Sequence, residues 1–204
     1  MKKFGFVLSL ALVTTLLGGS ALAQKKGDNS YFFVTYFSNA NTKGAPDQVL
    51  RIINDGDAST SQTEGVPNGL MGAEIIVFDD SQELQECCGC LISADGVLSE
   101  SVNKNLTANT LTNRGPLTRG VIKVVGFSLV SGDFSAGLRG TMTHTQATTL
   151  GPNENQLYTV SESPLADSNL VSAELSALEQ LCSFDFTLGS GAGICTCTPE
   201  DYDF

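Results

Sequence analysis

Two cysteine clusters, far apart in the chain, limit the folds open to it. The first is Glu86-Cys87-Cys88-Gly89-Cys90, and the second is Cys182 with Cys195 and Cys197. Six cysteines allow fifteen pairings, and strand geometry narrows them. Neighbouring strand residues point to opposite faces, so Cys88 and Cys90 share one face while Cys87 takes the other. Cys195 and Cys197 likewise share a face. The two Cys-x-Cys pairs are expected to lie together and cross-link, which leaves Cys87 for Cys182. The competing uses are a thiolate site for zinc or copper and a redox centre. The thioredoxin-type Cys-x-x-Cys in a βαβ setting is absent, which weakens the redox reading.

The N-terminal residues predict where oxidation takes place. Lys2 and Lys3 precede an apolar run from Phe4 to Leu17, and Ala21-Leu22-Ala23 puts small residues just before Gln24. This is the pattern of a cleavable secretory signal over residues 1–23, too short to span a bilayer and stay. The expected product is one domain over residues 24–204, secreted into the periplasm or extracellular space, where disulfides persist. With Lys2 and Lys3 removed, nine basic residues face 22 acidic ones, a net charge of −13. That excess disfavours nucleic acid and anionic membranes as partners. No second apolar segment reaches spanning length, so the mature chain is expected to lack a transmembrane anchor. No cysteine follows the cleavage point to take a lipid.

The mature chain reads as β almost throughout. Short aromatic and β-branched runs bounded by polar turns predict strands at residues 31–37, 49–53, 73–78, 83–92, 97–102, 121–127, 136–146, 157–160 and 184–188. Residues 73–78 are apolar but for Glu74, as in a central strand. One segment differs: Leu175, Leu178, Leu181 and Cys182 recur at helical spacing. A short helix is expected over residues 172–182, with Ser172 as N-cap and Glu174 in its first turn, covering an end or edge of the sandwich. The fold class is all-β: an immunoglobulin-like or jelly-roll-type β-sandwich, disulfide-stapled, with one short α-helix in its C-terminal half.

At the cysteine clusters the chain resembles a family of uncharacterised secreted bacterial proteins. The matching stretches are residues 36–42, the Phe78-Asp79-Asp80-Ser81-Gln82-Glu83-Leu84-Gln85-Glu86-Cys87-Cys88-Gly89-Cys90 segment, Cys182-Ser183-Phe184, Leu188-Gly189-Ser190-Gly191 and Cys195-Thr196-Cys197. The resemblance implies a secreted, cysteine-bearing domain and carries over no catalytic residue.

Candidate chemistry is sparse. His144 is the one histidine, on a predicted strand face shared with Met142 and Gln146, where a packed residue is a commoner role than a general base. No Gly-x-Ser-x-Gly elbow supports it. Asp55 with Asp57, and Asp79 with Asp80, are tight carboxylate pairs at predicted turns. Together they are a candidate weak calcium site bridging two loops, although the spacing is not that of an EF-hand. Asn105-Leu106-Thr107 is a glycosylation sequon. The glycine run over residues 189–193 has no following lysine or helix and reads as a turn, not a phosphate loop. The strand from Tyr31 to Phe37 is apolar on both faces, which suits a central core strand. Its sharper use is to pair with a neighbouring subunit and build a polymer.

These features point to a secreted, non-enzymatic structural or interaction protein at the cell surface or in the extracellular matrix. The alternatives are an extracellular module for a glycan or a cation, and a cysteine-based redox or metal-binding protein. No cofactor is expected other than calcium at the acidic turns.

Overall fold

The computed structural model describes residues 31–56, 69–109, 115–129, 133–148 and 156–188. The expected signal segment, Asp57, the glycine run, Cys195 and Cys197 lie outside the described residues. Within them the order is β1 (Phe32–Ser38), β2 (Val49–Asn54), β3 (Met71–Asp79), β4 (Leu84–Ile92), β5 (Val97–Ser101), a π-helical turn (Val102–Leu106), β6 (Arg119–Ser128), β7 (Leu138–Thr148), β8 (Leu157–Pro164), β9 (Ala166–Asp167) and α1 (Ser172–Leu188). The strands form two antiparallel sheets, ordered β4-β3-β6-β1-β9 and β5-β2-β7-β8. This is the expected sandwich, built as three layers: four strands, five strands and a helix.

Strand alternation explains the layering. On β3, Met71, Ala73, Ile75 and Val77 point into the core between the sheets, where they meet Leu50, Ile52, Leu98, Leu138 and Met142 of the other sheet. The intervening Ile76 points outward and packs with Phe32, Cys87, Val125, Leu178 and Cys182 beneath α1. A strand covered on both faces needs apolar residues at both parities. The same holds for β1, whose Phe33 and Phe37 face the core while Phe32 faces the helix. The strand is covered on both faces, as expected, but stands next to last in its sheet, paired with β6 along its length and with the two-residue β9 at Phe33 and Val34.

Three expectations need correction. The strand expected at residues 184–188 is the last part of α1, which runs to Leu188. Ala173 to Leu181 are mostly strong helix formers, and once a helix is nucleated, Phe and Thr cost only tenths of a kcal/mol each to add. No glycine or proline interrupts the segment before Gly189. Ser172 is not the cap, because the Leu175 N–H donates to the Val171 carbonyl and so places Ser172 within the first turn. Finally, α1 lies flat on the outer face of the five-stranded sheet and not over an end or edge.

Candidate functional site

Cys87 and Cys182 are joined, with their Cα atoms 5.5 Å apart, the pairing expected from strand parity. Cys87 faces outward from β4 toward the helix, whereas Cys88 and Cys90 are buried in the core between the sheets. None of the described cysteines is a free thiol. Glu74 offers a carboxylate oxygen to the same place: it and the Cys87 and Cys182 sulfurs lie within 4.8 Å of one another. Because those two sulfurs are bonded to each other, they are not thiolates, and a thiolate metal centre is closed to this pair.

Glu74 stands on the floor of a cavity of about 260 Å³ between α1 and the sheet. The floor and walls come from Ile76, Val125, Phe127 and Phe134, and the roof from Leu175, Leu178 and Cys182, with Glu179 among the lining residues. Glycines shape it. The Phe127 ring lies directly over Gly72, where an added Cβ would come within 2.1 Å of it. Glu74 pairs with Gly89 across the β3–β4 ladder, and the missing side chain leaves room for its carboxylate. Among the described residues, one buried oxygen of Glu74 has no hydrogen-bond partner. Burial raises its pKa to about 7, since desolvation disfavours the carboxylate against the neutral acid. Lys123, on the same face of β6, is held elsewhere: its Nζ lies 2.5 Å from Glu174 of α1 and 5.1 Å from the Phe78 ring centre.

The acidic turns are not brought together. Asp55 follows β2, at the end of the sandwich where the Asn54 side chain donates to the Gly69 and Ile92 carbonyls. Asp79 closes the far end of β3, roughly 25 Å away at the rise of an extended strand. Each described carboxylate also has protein partners. Asp55 pairs with Arg139 at 3.0 Å, and Asp80 with Arg119 at 2.6 Å. Asp79 accepts from the Ser81 and Glu83 amides and from Gln85, all at 2.9 Å. They act as turn and strand-end residues.

His144 is 5% exposed on β7 and stacks on Tyr36 with ring centres 4.4 Å apart. Its Nε2 lies 2.8 Å from the Ser163 hydroxyl on β8, a contact that the sequence did not suggest. Burial lowers its pKa, offset in part by the Tyr36 backbone. A serine–histidine hydrolase uses a carboxylate to orient the far nitrogen, and here, among the described residues, no carboxylate bonds Nδ1, which has the Tyr36 backbone beside it. The covered ring, stacked on Tyr36 and without a carboxylate partner among the described residues, suits packing better than proton transfer. The sequon is unsuitable as an acceptor for a different reason. Thr107 is buried and donates to the Val102 carbonyl, and the Asn105 amide is bound to Glu100.

No family model, curated protein or solved structure matches this chain. Its own residues are what a functional reading has to stand on. Sequence reasoning missed Glu74 as a site residue. The signal lies in the sequence, since Glu74 is the single charge in the apolar run over residues 73–78.

Proposed function

We propose that this chain is an exported, non-catalytic structural or interaction domain that works by contact with a second copy of itself. The observation that carries the reading is β8. It is the last strand of its sheet, eight residues long, and among the described residues nothing pairs with its outer edge. Leu157 and Val160 are 53% and 52% exposed there. An uncovered strand of this length is a template for another strand, and β8 carries no lysine and no proline before Pro164 to block it. The assembly expected through Tyr31 to Phe37 would use the other edge of β1, which β9 pairs at Phe33 and Val34, and it would leave the β1–β6 ladder in place. Two copies meeting edge to edge through β8 would extend the four-stranded sheets into one.

Sedimentation of residues 24–204 over a wide concentration range tests this. Association should strengthen with salt, since each copy carries a large negative charge. Val160→Lys should give a monomer of unchanged melting temperature. A wild-type chain that stays monomeric at every concentration and salt would overturn self-assembly. A second reading, a cation-binding module, is favoured by Glu74 in its apolar cavity.

A further inference from the structure

We propose that the cavity beneath α1 binds a small apolar amine, with the ammonium on Glu74 and the hydrocarbon body among Phe127, Phe134 and Leu178. This rests on the binding-module reading and names its ligand class.

Four observations converge. The cavity is lined mainly by aliphatic and aromatic side chains, so the body of an occupant must be apolar. Its volume lies just under the roughly 300–1,000 Å³ of drug-sized sites, which suits a one-ring molecule. Among the described residues, the charged ones in its lining are Glu74 and Glu179, with no basic side chain. Glu74 has a buried oxygen lacking a partner, and a donor from the ligand would supply one. An ammonium satisfies that oxygen and leaves the carboxylate charged, whereas an anion would meet two carboxylates.

The groups facing Glu74 make the titration simple. Cys87 on β4 and Cys182 on α1 are in a disulfide and do not titrate. Val125 and Phe127 on β6 are apolar, Lys123 is paired with Glu174, and Glu179 of α1 is exposed. Binding an ammonium therefore requires Glu74 to lose its proton. Affinity should rise as pH goes from 6 to 8, through the Glu74 pKa of about 7. The amine stays charged over this range, as lysine-like amines titrate near 10.

The test is calorimetry on the oxidised 24–204 chain with 2-phenylethylamine, and with 2-phenylethanol as a neutral counterpart. At pH 7, two buffers of different ionisation enthalpy should reveal release of about half a proton per amine bound. The amine should bind at least tenfold tighter than the alcohol. Glu74→Gln should erase that preference and the proton release, while Phe134→Ala should weaken both probes alike. If both probes bind equally and Glu74→Gln changes nothing, the amine assignment falls and an apolar site remains. If neither binds while the disulfide is intact, both the assignment and the binding-module reading fall.

Discussion

Ionising Glu74 works against the fold. Its pKa is raised from 4.5 to about 7 by burial, so between those values the folded protein holds a proton that the unfolded chain has released. Stability must then fall as pH rises through that window, and the penalty is fully present above about 7. The pKa difference corresponds to on the order of 3 kcal/mol. Glu74→Gln removes the ionisation and nearly keeps the shape. Urea unfolding of wild type and variant should give similar stabilities near pH 4.5, with the variant ahead by about 2–3 kcal/mol at pH 8. The difference between the two curves isolates this residue from the other carboxylates. A flat difference would place Glu74 in water and remove the basis for the cavity's charge preference.

At the scale of an element, the buried anchors of α1 among its described side chains are Leu178 and the disulfide-bonded Cys182, with the Lys123–Glu174 ion pair beside them. Leu178 is buried, whereas Leu181 and Val171 are exposed at 39% and 58%. The Cys87–Cys182 bond closes a long loop, with a sequence separation of 95, the kind of cross-link that constrains the unfolded chain most. The double variant Cys87→Ala/Cys182→Ala should lose about 2–4 kcal/mol. Amide exchange should speed up first in α1, while β3 and β6 stay protected at the centre of their sheet. Leu178→Ala should cost about 2–4 kcal/mol and Leu181→Ala less than about 1. Equal costs at the two positions would mean that a different face of α1 meets the sheet. The helix also shows what local pattern can miss. The recurrence of Leu175, Leu178 and Cys182 revealed it, but the aromatic run that follows has strand-like composition and is helical all the same.

For the whole molecule, the two-faced apolar strands are where the layers join. Removing residues 24–37 takes away β1, with Phe32 facing the helix and Phe33 and Phe37 facing the core. Each buried side chain contributes about 1.5–3 kcal/mol, so the deletion should leave an unfolded chain with no dispersed proton spectrum. A folded monomer with an exposed β6 edge would instead make β1 an exchangeable strand and revive assembly through it. Among the described residues no helix is long and apolar enough to cross a membrane.

The sequence by itself determined where most of the strands lie, which face each cysteine of the first cluster takes, and that Cys87 meets Cys182. These follow from the two-residue alternation of an extended chain, a local property that survives any arrangement of the sheets. It also marked β1 and β3 as covered on both faces without saying by what. Only the tertiary structure decided that a helix supplies the third layer, that Glu74 ends beside the disulfide in an apolar cavity, and that Asp55 and Asp79 stand at opposite ends of the sandwich. It decided too that His144 touches Ser163 and that β8 is the last strand of its sheet among the described residues. Each of those depends on which distant segments are laid against one another. That choice is made by burying all the apolar faces at once, so no single stretch of sequence contains it.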